Sequence, residues 1–171
     1  MEDLLKRGLH GVELVVSDSH QGLRKALEAV FPSVRWQRCL FHLAQNAGAQ
    51  APSAAMRGEL CKVVKEIYQA VDRQEAEIRL RKAVELYSKK ASKFSAWLEE
   101  HFIEGLTYYE FPKVHWRKIR TSNVVERINQ EQKRRTRVAR LFPSVASCER
   151  LVVTIAMRIH EEWVSGKRYL T

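Results

Sequence analysis

The chain has 171 residues, of which 45% are hydrophobic, and its 30 Lys and Arg against 20 Asp and Glu give a formal net charge of +10. For a globular domain this charge favours a polyanionic partner, with nucleic acid the first candidate and an anionic membrane surface the weaker one. No apolar run approaches the roughly 20 residues that span a bilayer, and the N-terminus shows no secretory apolar segment, so we expect no membrane span.

The N-terminal third of the chain predicts a β-α-β unit. Residues 12–18 are mostly apolar and β-branched, a pattern typical of a strand covered on both faces in a parallel sheet. Apolar residues at helical spacing in residues 23–30 predict a crossover helix, and residues 34–41 predict a second strand. Ligands of such sheets gather at the carboxyl ends of the strands, which is where Asp18 falls.

More helices are predicted after the second strand. Apolar residues recur at helical spacing in three segments between His42 and Gly105, which predicts an all-helical block there. Asp72 followed by Glu75 has the spacing of a capping box and should begin the second of these helices. Gly105 is expected to end the third. A further helix, capped by Ser144, is predicted near the C-terminal end.

Residues 120–140 predict a strongly basic helix that begins with a carboxylate. Asn123 can act as the N-cap, and Glu126 can accept a hydrogen bond from the backbone N–H of that cap. The helix is predicted to continue to Phe142-Pro143, where proline stops it. Glu126 either binds a metal ion or completes its own cap, and the basic side chains either contact phosphates or form a solvated face. These basic residues are Arg120, Arg127, Lys133, Arg134, Arg135, Arg137 and Arg140.

Asp18 at a strand end and Glu126 at a helix start are the two candidate metal ligands. Phosphodiester chemistry with two divalent ions needs several carboxylates that converge on ions about 3.5–4 Å apart. Carboxylate oxygens suit Mg²⁺, which keeps several waters and takes one or two carboxylates. We therefore predict that the fold brings Asp18 and Glu126 together, although their spacing alone is compatible with many α/β domains.

Three motifs carry a family resemblance: Asp18 directly after a strand, Cys39-x-x-His42, and Asn123-x-x-Glu126. With their flanking sequence they resemble the mutator-type DDE transposases of bacterial insertion sequences, over residues 17–46, 111–144 and 166–170. The resemblance implies an α/β, helix-rich fold with a partial ribonuclease-H-like core of two parallel strands plus helices, and an all-helical insertion. The domain boundaries that it implies are residues 1–43 for the first part of the core, 44–115 for the insertion and 116–171 for the C-terminal core helices.

The same resemblance implies the chemistry and the partners. Asp18 and Glu126 match the second and third catalytic acids, which bind Mg²⁺ or Mn²⁺, and Asn123 is expected to support that site. The implied partner is DNA, both transposon ends and target, and the full-length protein is expected to form a homo-oligomer. The implied location is the bacterial cytoplasm, associated with the nucleoid.

The first acid of the family's triad has no counterpart at the expected distance upstream. The one candidate, Asp3, lies in a segment that is typical of a helix. We therefore expect a C-terminal half that lacks the first catalytic Asp and has little or no activity by itself. Because two parallel strands alone leave an apolar edge exposed, we also expect the chain to self-associate.

Several other residues keep two interpretations. Cys39 and His42 either begin a zinc site, for which no second pair has the spacing, or support the active-site strand by packing and hydrogen bonding, which we favour. His20 either contacts a phosphate or caps the following helix. Trp116 either stacks on an unpaired base or packs the insertion against the core. The cysteines are odd in number and widely spaced, so we expect a reducing setting without a disulfide framework; they are Cys39, Cys61 and Cys148.

Two functional hypotheses follow, with a third alternative. The first is a metal-dependent DDE transposase that cleaves and transfers DNA strands, represented by this chain in part. The second is a catalytically inactive fragment that only binds DNA or the full-length transposase. The third is a stand-alone ribonuclease-H-like nuclease.

Overall fold

Residues 1–166 are described by the computed structural model, and they form a helix-rich fold with two parallel strands. The predicted α/β, helix-rich fold with two parallel strands is confirmed, and its ribonuclease-H-like character stays a prediction. Residues 167–170 of the C-terminal GKRYL motif lie outside the described residues. In chain order the elements are α1 (Glu2–Lys6), β1 (Leu14–Ser17), α2 (Gln21–Val30), β2 (Arg35–Arg38), α3 (Leu40–Ala49), α4 (Ala54–Tyr68), α5 (Arg73–Tyr87), α6 (Ser92–His101), α7 (Trp116–Ile119), α8 (Asn123–Ala139) and α9 (Val145–Ser165).

The chain divides into two compact units, Met1–Thr121 and Ser122–Thr171. The first unit contains both strands and helices α1 to α7, and the second contains α8 and α9. The expected division into core, insertion and core at residues 43 and 115 stays a prediction.

The two strands pair in parallel, with Leu14 opposite Arg35 at the start of the ladder. Helix α2 connects them, so the predicted β-α-β unit is confirmed. The predicted strand is wrong at residues 39–41, which leave the sheet and begin α3. The reason is that Leu43 N–H donates a helical hydrogen bond to Cys39 O at 2.9 Å.

Each strand has one edge that faces away from the other strand. On β2, Thr107 Oγ1 donates to Trp36 O and Tyr108 N–H donates to Gln37 Oε1, both at 2.8 Å. The 3-10 turns that follow α6 therefore cover this edge. On β1, no further strand pairs with the outer edge within residues 1–166.

Helices α3 to α6 and the turns after them enclose the core of the first unit. The predicted cap of α5 is confirmed, since the Asp72 side chain accepts from Glu75 N–H at 2.8 Å. The Glu75 carboxylate in turn accepts from Val71 N–H at 2.7 Å. Two carboxylate side chains, those of Asp72 and Glu75, therefore accept backbone hydrogen bonds at the start of this helix. The fully buried side chains from the predicted helical segments include Leu60, Val64, Ile67, Phe94, Leu98 and Phe102. Leu40, Leu43 and Leu106, which the apolar pattern did not single out, complete this core.

Gly105 has a packing role, and its predicted role at a helix C-terminus is wrong. Helix α6 ends at His101, and the 3-10 turn Phe102–Gly105 follows it. A Cβ added at Gly105 would lie 2.7 Å from Leu40 Cδ2 and 2.9 Å from Leu43 Cδ1. Helix α3 can approach this turn so closely because residue 105 has no side chain.

The basic helix α8 begins one residue earlier than predicted. Ser122 is the N-cap residue, and Asn123, the predicted cap, is the first residue of the helix. The carbonyl of Ser122 accepts the first helical hydrogen bond, from Glu126 N–H at 3.2 Å. The Asn123 backbone is therefore already helical, which leaves the cap position to Ser122.

The same helix also ends earlier than predicted, at Ala139 and before Pro143. Arg140 has a φ of 53°, and Leu141 N–H donates to Ala139 O at 2.6 Å. This is a γ-turn of the strained kind with positive φ. A local backbone reversal therefore ends the helix, not the proline.

The second unit is a pair of helices in which none of the described residues is buried. The predicted cap of α9 is confirmed, because Ser144 Oγ accepts from Ser147 N–H at 3.2 Å. Apolar side chains of the two helices line a groove between them: Val124, Ile128, Ile159 and Trp163. In residues 1–166 no helix combines the length and apolar character needed to cross a bilayer.

Candidate functional site

Asp18 follows directly after β1, and its side chain is 57% exposed. Because the strands are parallel, their carboxyl ends lie at the same edge of the sheet. Cys39 N–H donates to Ser17 O at 2.8 Å, so the residue after β2 lies beside the residue that precedes Asp18. The strand pairing therefore brings Cys39 to Asp18.

His42 joins these two residues because α3 begins immediately after Cys39. Cys39 is the N-cap residue of α3 and is fully buried, and His42 lies in the first turn. The imidazole Nδ1 of His42 contacts the carboxylate Oδ1 of Asp18. One ligand atom from each of the three residues lies within 4.8 Å of the other two. We call this group the Asp18–Cys39–His42 cluster.

The cluster shows where the residues of the Cys39-x-x-His42 motif lie. Both are at the carboxyl end of β1, and their support of an active site there stays a prediction. Their carboxylate neighbour, Asp18, also gives the motif a third metal-binding side chain, which the sequence interpretation of zinc lacked.

His20 is the N-cap residue of α2, as one of its two interpretations proposed. Its Nδ1 accepts from Leu23 N–H at 3.3 Å. Near the same strand end, Trp36 Nε1 donates to Ser17 Oγ at 2.9 Å. These bonds hold Ser17, which directly precedes Asp18, and His20, two residues after it.

Buried polar residues of β2 support this edge of the sheet, and sequence analysis missed them. Gln37 is fully buried, and its Nε2 donates to Gly105 O at 2.8 Å. The Arg38 side chain is 5% exposed and pairs with Glu104 at 2.9 Å, and Arg24 of α2 pairs with the same carboxylate at 2.6 Å. The available signal is a Gln-Arg pair in the middle of the predicted strand 34–41, between Trp36 and Cys39.

Glu126 lies in the first turn of α8 and is half-buried. Ser122 Oγ donates to Glu126 Oε1 at 2.9 Å. The carboxylate thus bonds to the side chain at the cap position, an arrangement related to the predicted cap but made with a different residue. Asp18 and Glu126 belong to different units, and their convergence stays a prediction.

The basic side chains of α8 differ in their ion pairing. Glu131 accepts from Arg134 at 2.8 Å and from Arg135 at 2.9 Å. The hydrogen bonds from Arg134 and then Arg135 lower the pKa of Glu131 from 4.5 to about 2. Within residues 1–166 no carboxylate lies at ion-pair distance from the remaining three basic residues of the predicted DNA-binding set on this helix: Arg127, Lys133 and Arg137.

Arg120 and Trp116 are packed into the first unit. The Arg120 guanidinium lies 5.6 Å from the centroid of the Tyr68 ring. The backbone carbonyl of Arg120 accepts from Leu40 N–H at 3.0 Å. Trp116 Nε1 donates to Phe111 O at 2.6 Å, and its ring lies edge-on to Tyr109 at 4.7 Å. For Trp116 these contacts agree with the packing interpretation.

The sequence of residues 1–166 matches the family model described as "Transposase, Mutator family". The chain therefore belongs to the Mutator family of transposases, and the resemblance carried by its motifs is confirmed. It is 46% identical over 170 residues to the transposase for insertion sequence element IS406 of Burkholderia multivorans, which covers 99% of this chain and 44% of that relative.

Two further relatives are transposases of other insertion sequences. Identity is 36% over 168 residues to the transposase for insertion sequence element IS1081 of Mycobacterium tuberculosis, covering 98% of this chain and 40% of the relative. Identity is 34% over 172 residues to the transposase for insertion sequence element IS256 in transposon Tn4001 of Staphylococcus aureus, covering 99% of this chain and 44% of the relative. The chain thus spans between 40% and 44% of the length of these three relatives.

Proposed function

We propose that this chain is part of the catalytic domain of a metal-dependent DDE transposase that cleaves and transfers DNA strands to move an insertion sequence. The observation that carries the proposal is the exposed carboxylate of Asp18 at the carboxyl end of a parallel strand, in a chain of the Mutator family. The proposal includes a ribonuclease-H-like core, of which β1 and β2 would be two strands.

In this proposal Asp18 and Glu126 hold Mg²⁺ or Mn²⁺. An exposed carboxylate at a strand end fits such an ion, which takes one or two carboxylates and keeps several waters. When bound, the ions lower the pKa of the attacking water or 3′-hydroxyl and stabilise the leaving oxygen. Asp18 and Glu126 supply oxygen ligands, and the hydrogen bond from Ser122 holds the carboxylate of Glu126 in one orientation.

The proposed partner is DNA, both the ends of the element and the target, with a homo-oligomer as the working form. The charge of +10 supports a polyanionic partner. Exposed basic side chains of α8 would contact the phosphate backbone. Such contacts position DNA without reading its sequence. Arg127, Lys133 and Arg137 are the best placed, because the carboxylate of Glu131 does not neutralise them.

A non-catalytic fragment that binds DNA or the full-length transposase is the second candidate. Asp3 was the one upstream candidate for the first acid of the triad, and it lies in α1, where it pairs with Arg7 at 3.6 Å. Its side chain is 77% exposed. A site without a third carboxylate should hold two metal ions poorly.

The two candidates separate in a nicking assay on DNA that carries the ends of IS406. The assay compares this chain alone with a hybrid in which the chain replaces the segment that it matches in the IS406 transposase. We expect Mg²⁺- or Mn²⁺-dependent nicking by the hybrid, and loss of nicking in the hybrid variants Asp18→Asn and Glu126→Gln. Glu28→Gln on α2 and Glu149→Gln on α9 are matched controls, because both carboxylates are exposed.

The outcomes point in different directions. Nicking by the hybrid that persists in Glu126→Gln would remove this residue from the proposed site, and persistence in Asp18→Asn would do the same for Asp18. A hybrid that binds DNA ends but never nicks them would favour the non-catalytic candidate. Nicking by this chain alone would contradict the need for a further carboxylate.

A further inference from the structure

The Asp18–Cys39–His42 cluster combines a carboxylate, a thiol and an imidazole at one edge of the sheet. We propose that this cluster binds a thiophilic divalent cation of the zinc class, with a fourth coordination position open to water. The proposal concerns binding, and it does not depend on the strand-transfer chemistry proposed above.

The distances within the cluster are close to those that one zinc ion requires. The ligand atoms lie within 4.8 Å of one another. Two atoms bound to the same tetrahedral zinc ion, at about 2.0–2.3 Å each, lie roughly 3.3–3.8 Å apart, so the ligand atoms must approach one another by about 1 Å. Small side-chain rotations are therefore enough to close the site. His42 and Asp18 already touch and would separate slightly to admit the ion.

The backbone holds the three ligands together without the metal. Cys39 N–H bonds to Ser17 O at 2.8 Å across the sheet, and Leu43 N–H bonds to Cys39 O in the first turn of α3. Strand pairing thus fixes Cys39 against the segment that carries Asp18, and the helix start fixes His42 against Cys39. A site that is largely pre-formed loses little ordering entropy on binding.

The burial of the ligands predicts an open site. Cys39 is fully buried, the His42 side chain is 29% exposed and that of Asp18 is 57% exposed. The thiol side of the cluster is therefore closed by protein, and the carboxylate side faces solvent. Zinc sites with three protein ligands take water or a substrate atom as the fourth ligand.

The ligand chemistry distinguishes this site from a magnesium site. Thiolate and imidazole suit zinc, whereas Mg²⁺ prefers carboxylate, carbonyl and water oxygens. Asp18 is the one residue of the cluster that suits both ions. Zinc bound here would occupy the carboxylate that the magnesium chemistry needs and would inhibit it; this consequence, unlike the binding itself, rests on the proposed function.

The test is a zinc titration of the 171-residue chain at neutral pH, in competition with a chromophoric chelator. A parallel titration uses Co²⁺, whose thiolate complexes give a charge-transfer band and strong visible absorption. We expect one bound ion per chain and a thiolate band with Co²⁺. Asp18→Asn and Cys39→Ser should each weaken zinc binding by more than about tenfold. Loss of a residue that only hydrogen-bonds to a metal ligand already costs roughly tenfold in affinity, and these two residues are ligands themselves.

Matched controls come from the same chain. Cys148→Ser removes a thiol outside the cluster, and His160→Ala removes an exposed imidazole of α9 that is also outside the cluster. Both should bind zinc like the unmodified chain. Circular dichroism checks that each variant is folded, and Asp18→Asn alone decides the question if Cys39→Ser is unfolded, because the Asp18 side chain is exposed.

Any of three results would overturn the proposal. The first is the absence of one-to-one zinc binding in competition with the chelator. The second is unchanged binding in folded Asp18→Asn. The third is loss of binding in Cys148→Ser or His160→Ala, which would place the ion elsewhere.

Discussion

Gly105 and Gly58 show how differently two glycines of this chain are used. Gly105 lies where a Cβ would meet Leu40 Cδ2 at 2.7 Å and Leu43 Cδ1 at 2.9 Å. Both leucines are essentially fully buried, so neither can move aside without disturbing the core. Gly58 lies inside α4 with no neighbouring atom within 4 Å of the position that a Cβ would take.

Substituting each glycine by alanine should therefore change stability in opposite directions. Gly105→Ala should lower the free energy of unfolding by about 1–3 kcal/mol, the usual cost of overpacking a core. Gly58→Ala should raise it by up to about 1 kcal/mol, because alanine is the better helix former. Urea denaturation followed by circular dichroism measures both. A Gly105→Ala protein with the same free energy of unfolding as the unmodified chain would show that α3 does not pack on this turn as described.

The helix caps and Gly105 differ in how far along the chain their partners lie. Capping depends on atoms within a few positions of each other, which is why Asp72 and Ser144 were correctly predicted as caps. Ser122 and Asn123 are adjacent and both suit a cap position, so propensity could not choose between them. A glycine after an apolar helical stripe is typical of a helix end, and the contacts of Gly105 with α3 join parts of the chain too far apart for any local pattern to indicate them.

At the scale of the element, α8 combines exposed basic side chains with one carboxylate that pairs with two of them. Glu131 accepts hydrogen bonds from Arg134 and Arg135. These arginines should contribute less to binding DNA phosphates than Lys133 and Arg137, whose charges no carboxylate of residues 1–166 neutralises.

Glu131→Gln should release Arg134 and Arg135 and strengthen binding to duplex DNA. The slope of log affinity against log salt should become steeper by about 0.9 for each new phosphate contact. Glu149→Gln on α9 is the control with the same change in charge, since Glu149 is exposed. Fluorescence anisotropy at several salt concentrations provides the measurement, and equal slopes for the two variants would contradict a specific role for the ion pairs.

The same ion pairs should make α8 sensitive to acid. The folded-state pKa of Glu131 is about 2, below its ordinary value of 4.5, chiefly through the hydrogen bond from Arg134. A lowered pKa means that the stabilisation is present above about pH 4.5 and is lost as the pH falls toward 2. The carboxyl resonance of Glu131, followed by NMR titration, should therefore have its midpoint well below pH 4.5. A midpoint near the ordinary value would show that the pairs do not persist in solution.

At the scale of the whole molecule, the open edge of β1 is the feature with the largest consequence. Glu13 O and Ser17 O accept from Arg35 N–H and Cys39 N–H of the neighbouring segment. Backbone groups alternate in direction along a strand, so those of Leu14 and Val16 point to the outer edge. Within residues 1–166 no third strand pairs there, and an unpaired strand edge invites pairing with another chain.

We expect the 171-residue chain to self-associate through this edge. Val16→Pro should reduce association, because proline removes an N–H that faces away from β2 and is tolerated at a strand edge. Val15→Pro is the contrasting variant, since it removes an N–H that faces β2 and should lower stability itself. Sedimentation velocity measures association, and a monomeric chain that unfolds cooperatively would refute the prediction.

Local sequence patterns are enough to predict the β-α-β unit, the helical segments after it, the caps at Asp72 and Ser144, and the motifs of the Mutator family. Each depends on periodicity, on backbone propensity or on residues within one helical turn. The tertiary structure decided which distant residues meet, as in the Asp18–Cys39–His42 cluster, the cover that the turns provide for β2, and the close approach of α3 to Gly105. These contacts depend on strand pairing and on packing between elements far apart in the chain, and no local pattern specifies that register.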